Sequence, residues 1–115
     1  MTTVSAKETV LLFLNAINSE NFEDARQYVT DDMKFIGVMG RRDNADTYFD
    51  DMQKMKFKYE IKKALGDNTD VAVFYDIDMP GRKIFSSGWY HVNNGKIEWL
   101  KVLFDPRPLL EPAEK

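Results

Sequence analysis

The sequence predicts an α+β domain in which helices come first and an antiparallel sheet follows. Three observations carry this. Apolar-rich segments at residues 71–79, 84–92 and 97–104 are joined by Pro80-Gly81 and by Asn93-Asn94-Gly95. Gly and Asn reach positive φ at little cost, so both junctions read as hairpin turns. Upstream of residue 56, apolar residues recur instead at helical spacing. Strands grouped after helices point away from a parallel βαβ sheet.

The first helix opens at Ser5-Ala6-Lys7-Glu8, a capping box whose hydroxyl and carboxylate satisfy free backbone donors. Val10, Phe13, Leu14 and Ile17 form its apolar stripe, and Leu11 and Leu12 widen it, so burial on more than one side is expected. The helix should end near residues 18–21. Asn21 caps a second, short helix with Phe22, Ala25, Tyr28 and Val29 on its apolar side. Residues 33–37 read as a brief strand and residues 40–44 as a loop. A third helix follows, with Ala45, Tyr48, Phe49, Met52 and Met55 in helical register. Phe57, Tyr59 and Ile61 then alternate with Lys58, Glu60 and Lys62, as in a strand with one wet face. After residue 104 the chain holds three of its 4 prolines. Residues 106–115 therefore read as an extended tail that cannot continue a central strand.

Length and composition set the class. The 115 residues fit one domain, residues 1–115, with a real core. A net charge of −3 with scattered basic residues predicts neither nucleic acid nor anionic membrane as a partner. With no cysteine, disulfides, thiol nucleophiles and thiolate metal sites are excluded. The first residues lack the basic stretch and apolar core of a signal peptide, and no apolar run reaches spanning length, so a cytoplasmic location is expected. Asp76 and Asp78 share a face without a third ligand at metal spacing. The pairs Asp31-Asp32 and Asp50-Asp51 read as helix-end and helix-surface charges. Neither a phosphate-binding glycine loop nor a Ser/His/Asp arrangement can be built. No metal or cofactor is expected.

Several strings occur in a characteristic order: residues 13–22, Tyr28-Val29-Thr30-Asp31-Asp32, Gly40-Arg41, Gly81-Arg82-Lys83 and Asn94-Gly95-Lys96-Ile97. Together they resemble the nuclear transport factor 2-like superfamily, in particular its SnoaL-like and ketosteroid-isomerase-like branch, over residues 6–105. The resemblance implies a single SnoaL-like domain, a cystatin-like cone. Three N-terminal helices would pack on a curved, mostly antiparallel sheet around a pocket, often in homodimers. In the isomerase branch a strand carboxylate is the base, and a tyrosine and a protonated acid stabilise the enolate oxygen. The matching positions here are Gly37, Phe13 and Tyr90. A donor without a base moves no proton between carbons, so steroid isomerisation is not expected. Asp46, or His91 after a register shift, would be needed to restore acid–base chemistry.

Strand alternation then sorts the side chains. With Tyr90 pointing into the cone, Ile84, Ser86, Gly88 and Val92 follow it, as do Val73, Tyr75, Ile77, Leu100, Val102 and Phe104 on neighbouring strands. The expected ligand pocket is Phe13, Ile17, Phe35, Tyr48, Phe49, Met52, Tyr75, Ile77, Ser86, Gly88, Tyr90 and Val102. Small Ser86 and Gly88 leave room beside Tyr75 and Tyr90, which suits a flat, weakly polar small molecule. The alternative is that these side chains fill the space themselves, with the hydroxyls finding water or backbone partners. The opposite face carries Phe74, Asp76, Asp78, Ser87, Trp89, His91, Trp99, Lys101 and Leu103. No helix remains to cover its aromatic part, so Phe74, Trp89, His91, Trp99, Lys101 and Leu103 are expected at a two-fold homodimer interface. Two functions fit: a non-catalytic domain binding a small hydrophobic ligand, or a SnoaL-like isomerase, cyclase or dehydratase acting on a small hydrophobic carbonyl compound. The balance leans away from an enzyme. A protein-association module is a third, weaker reading.

Overall fold

In the computed structural model, residues 5–38, 40–79 and 81–107 are described. Helix α1 (Ala6–Asn18) opens on the expected capping box: Glu8 N donates to Ser5 Oγ, and Ser5 N donates to the Glu8 carboxylate. It buries Val10, Phe13, Leu14 and Ile17, whereas Leu12 is 43% exposed. Leu11 is half-buried, and the helix packs on the short helix that follows it as well as on the sheet, so only Leu12 of the widened stripe is left exposed.

Helix α2 (Phe22–Arg26) is capped by Asn21 and has only 5 residues. Tyr28 and Val29, expected on its apolar side, lie beyond it. The Tyr28 carbonyl accepts from Ile97 N at 2.7 Å, which draws the chain onto the last strand and starts β1 (Val29–Gly37) early. Strand β2 (Gly40–Arg42) pairs antiparallel with β1 where a loop was expected. Helix α3 (Ala45–Met55) starts at Asn44, whose side chain accepts from Thr47 N, and stops at Lys56 in the left-handed region, φ 54°.

Four strands follow: β3 (Lys58–Gly66), β4 (Asp70–Met79), β5 (Arg82–Asn93) and β6 (Lys96–Phe104). Gly81 and Asn94-Gly95 take positive φ in the two hairpin turns. The sheet order is β2-β1-β6-β5-β4-β3. Every neighbouring pair is antiparallel except β1 and β6, which are parallel. The sheet curves so that α1 packs across β3 to β6 while α3 packs on β1 and β2. All three helices lie in the first half of the chain, as expected, but α2 is a single short turn, and β1 and β2 separate it from α3. Of the expected proline-rich tail, residues 108–115 lie outside the described residues. Among the described residues no helix is long and apolar enough to cross a membrane.

Strand β3 is an edge, and an open edge leaves backbone groups unpaired. The end of α1 meets this demand with one side chain. Asn18 Nδ2 donates to Tyr59 O at 2.8 Å, and Tyr59 N donates to Asn18 Oδ1 at 2.7 Å, as a neighbouring strand would. Asn18→Ala should lower unfolding stability by about 1–3 kcal/mol in urea titration, since two part-buried backbone groups lose their partners. Asn18→Asp, which keeps the acceptor alone, should fall between the two.

Candidate functional site

The interior of the cone is packed around tyrosines. Tyr75 and Tyr90 face each other with their hydroxyl oxygens 2.8 Å apart. A Cβ placed on Gly88 would lie 2.3 Å from Tyr75 Oη, so the glycine is what admits the phenol. The room expected beside Ser86 and Gly88 is therefore filled by the protein itself. Ser86 Oγ donates to Ile84 O at 2.9 Å. Phe13 meets Tyr90 edge-on with ring centres 6.5 Å apart, and Tyr59 meets Tyr75 in the same way at 5.0 Å. Burial pushes the phenols of Tyr48, Tyr59, Tyr75 and Tyr90 above their ordinary range, so all four are neutral hydroxyls. Among the described residues no Asp, Glu or His is buried.

All twelve residues expected around a pocket face this interior, eleven of them buried and Phe35 half-buried. They divide into two groups. Phe35, Tyr48, Met52, Ile77 and Val102 border a small cavity of about 60 Å³ near the wide end, together with Arg42, Asp51, Met55, Phe57, Tyr59, Met79 and Phe104. Phe13, Ile17, Phe49, Tyr75, Ser86, Gly88 and Tyr90 do not border it. Outward from the cavity lies an apolar recess of about 300 Å³, lined by Phe35, Gly37, Val38, Gly40, Arg42, Asp51, Met55, Phe57, Met79 and Phe104. The inner cavity has room for one or two waters, whereas the recess falls at the lower end of ligand-site volumes. Two larger depressions are surface features. One of about 550 Å³ lies between α1 and the β5–β6 turn, and one of about 480 Å³ lies between α2 and α3.

One charged pair stands on the recess wall. Strand β2 sets Arg42 opposite Phe35 of β1, and Arg42 Nε donates to Asp51 Oδ2 on α3. Arg42 Nη1 donates to the Arg41 carbonyl at 2.7 Å. Both side chains are partly exposed, at 41% and 30%. Sequence reasoning missed this pair, because it placed Arg42 in a loop and read Asp51 as a helix-surface charge. Only the β1–β2 pairing, invisible to periodicity, swings Arg42 over α3. Met55 and Phe57 were legible as apolar positions but not as recess walls.

The other candidate acid–base groups lie elsewhere. Asp46 is exposed and sits 3.7 Å from Arg26. His91 is on the outer sheet face, with Nδ1 3.0 Å from Asp70 Oδ1 and its ring stacked on Trp99 at 5.2 Å. At Gly37 an added Cβ would meet the Phe35 ring at 2.9 Å.

The six residues expected at a dimer interface share the outer face of β4, β5 and β6. Trp89 Nε1 donates to Asp70 Oδ1 at 2.8 Å, and Lys101 Nζ lies 5.3 Å and 5.2 Å from the Trp89 and Trp99 rings. Hydrogen bonds from His91, then Thr69 and Trp89, hold the Asp70 carboxyl down to about 2. Trp89 is 48% exposed, and Phe85 and Leu103 are each 64% exposed. Phe74, His91 and Trp99 are half-buried and Lys101 is exposed. Phe85 was omitted from the expected face, although its alternation with Ser87 and Trp89 places it there.

The paired phenols make a specific prediction. Tyr75→Phe and Tyr90→Phe should each lower stability by about 1–3 kcal/mol, because each strands one buried hydroxyl. The double variant should lose much less than the sum of the singles, measured by urea unfolding in a double-mutant cycle.

No protein-family model matches the sequence, and no curated protein matches it. Solved structures do. An NTF2-like protein of unknown function from Cytophaga hutchinsonii is 44% identical and superposes with a TM-score of 0.92, over 96% of this chain and 98% of that one. Two more distant structures share the fold alone. A LEH-like epoxide hydrolase from M. tuberculosis is 21% identical, with a TM-score of 0.75 over 87% of this chain and 82% of that one. An uncharacterized cystatin fold protein from Novosphingobium aromaticivorans is 17% identical, with a TM-score of 0.77 over 87% of this chain and 98% of that one. On the strength of the Cytophaga structure and the matching architecture, this chain belongs to the nuclear transport factor 2-like family.

Proposed function

We propose that the protein is a homodimeric small-molecule-binding domain whose ligand site is the apolar recess at the wide end of the cone. One observation carries this reading: a recess of about 300 Å³ with apolar walls opens beside a single charged pair. Apolar walls with a few placed polar groups are what a small ligand needs for affinity and orientation. Gly37 and Phe13 carry none of the functional atoms an isomerase of this fold uses, and Asp46 and His91 lie outside the cone. A cysteine-free composition supports a cytoplasmic setting.

A SnoaL-like isomerase, cyclase or dehydratase acting on a small hydrophobic carbonyl compound is the alternative. The Asp51 carboxylate at the recess, near the Tyr48 and Tyr59 phenols, favours it. That carboxylate is already engaged by Arg42, so binding is the reading adopted.

The dimer is supported by the outer face. Phe74, Phe85, Trp89, Trp99 and Leu103 lie on adjacent strands, and no helix packs over them among the described residues. A second copy covers such a face by two-fold symmetry.

N-phenyl-naphthylamine, a neutral dye that brightens in apolar surroundings, tests the site. The wild type should enhance its fluorescence, and Met55→Arg, at a 38% exposed position on the recess wall, should weaken binding about tenfold or more. Unchanged binding by that variant, or none by the wild type, rejects the site. Light scattering after size-exclusion chromatography tests the dimer. The wild type should weigh twice its 13.4 kDa chain, and the Phe85→Glu/Leu103→Glu double variant should fall to one chain. A monomeric wild type rejects the dimer.

A further inference from the structure

The Arg42–Asp51 pair carries more than the existence of a site, for it sets the charge and head group of what can enter. Resting on the binding reading above, we propose that the recess selects an uncharged ligand. Its head group would present a hydrogen-bond acceptor and donor side by side, as a carboxamide or a hydroxyl next to a carbonyl does, on a flat apolar body.

The walls supplied by Phe35, Met55, Phe57 and Met79 take the body. At the head, the two charges have already neutralised each other, with Arg42 Nε donating to Asp51 Oδ2. Each partner keeps capacity to spare. Arg42 spends Nε on Asp51 and Nη1 on the Arg41 carbonyl, while Nη2 makes no hydrogen bond among the described residues. Asp51 accepts at Oδ2, and Oδ1 has no protein partner among them. A donor and an acceptor thus stand together on one wall. A carboxamide answers both, its carbonyl accepting from Nη2 and its N–H donating to Oδ1.

An ion fares worse for an electrostatic reason. A carboxylate drawn to Arg42 stands beside Asp51, so attraction and repulsion nearly cancel while the anion still loses water against apolar walls. An ammonium meets the converse problem at Arg42. Among the described residues no third charge lines the recess to tip the balance.

The test is displacement of N-phenyl-naphthylamine from the full-length protein by four probes on one skeleton: naphthalene, its carboxamide, its carboxylate and its methylammonium, at neutral pH. The carboxamide should bind about tenfold or more tightly than each of the others. Asp51→Asn leaves Arg42 uncompensated and should move the preference to the carboxylate. Arg42→Gln should move it to the ammonium. Both variants alter partly exposed side chains, and retained dye binding shows that the recess is intact. A carboxylate or ammonium binding the wild type as tightly as the carboxamide overturns the proposal but leaves the recess a binding site. Dye binding with no displacement by the carboxamide does the same. Failure of the wild type to bind the dye removes the binding reading and this proposal with it.

Discussion

The hydrogen bond between the Tyr75 and Tyr90 hydroxyls, 2.8 Å long and fully buried, decides where this molecule has space. The two phenols sit on neighbouring strands above Gly88, the one position between them that lacks a side chain. Paired, one phenol donates and the other accepts, and the two rings fill the narrow part of the cone. With Phe13 wedged against Tyr90 from α1, the helix and the middle of the sheet become one solid body. What remains open is displaced to the wide end, where β1, β2, α3, β4 and β6 and the residue before β3 contribute walls. The position of the recess is thus a consequence of core packing rather than an independent feature.

The rim of that recess depends on how the helices end. Lys56 closes α3 in the left-handed region, and Glu20 closes the turn after α1 in the same conformation, φ 57°. A side chain in that region costs about 1 kcal/mol or more relative to glycine, so both turns must be held by their surroundings. Glu20 binds Lys56 at 3.2 Å and Lys58 at 2.6 Å, and Asn18 clamps Tyr59. The ion pairs are exposed and individually weak. The Asn18 bonds to backbone are the stronger tie, and they seat β3 so that Phe57 reaches the recess and Tyr59 the inner cavity. Edge protection and site construction are performed by the same few residues.

This explains which parts of the molecule were legible in its sequence. Features set by neighbours in the chain could be read. The Ser5–Glu8 box, the Asn21 and Asn44 caps, the Gly81 and Asn94-Gly95 turns, and the two faces of β4 and β5 all follow from local chemistry. Features set by distant pairing could not. Val29 belongs to β1 only because β6 offers it a parallel partner, and Arg42 reaches the recess only because β2 folds back on β1. The alternative the sequence left open concerned volume. Ser86 and Gly88 do make room, but sequence cannot say whether a ligand or a tyrosine from the next strand takes it.

The two faces of the sheet illustrate opposite uses of polar groups. Inside, the phenols are neutral, and the recess places an acid and a base against each other so that no net charge remains. Outside, charge is kept and organised. Asp70 accepts from Trp89 Nε1 and contacts His91 Nδ1, while Lys101 lies over both tryptophans. Asp70 is held at about 2, below its unfolded value of 3.8. Its contribution to folding is therefore complete above pH 3.8 and is lost as pH falls through about 2. Near neutral pH the ionised Asp70 carboxylate accepts from the Trp89 indole and so orients it. Such preorganisation lowers the entropy lost when an aromatic surface is covered. In the proposed dimer the Trp89 indole would enter the contact already oriented by Asp70, at the start of β4.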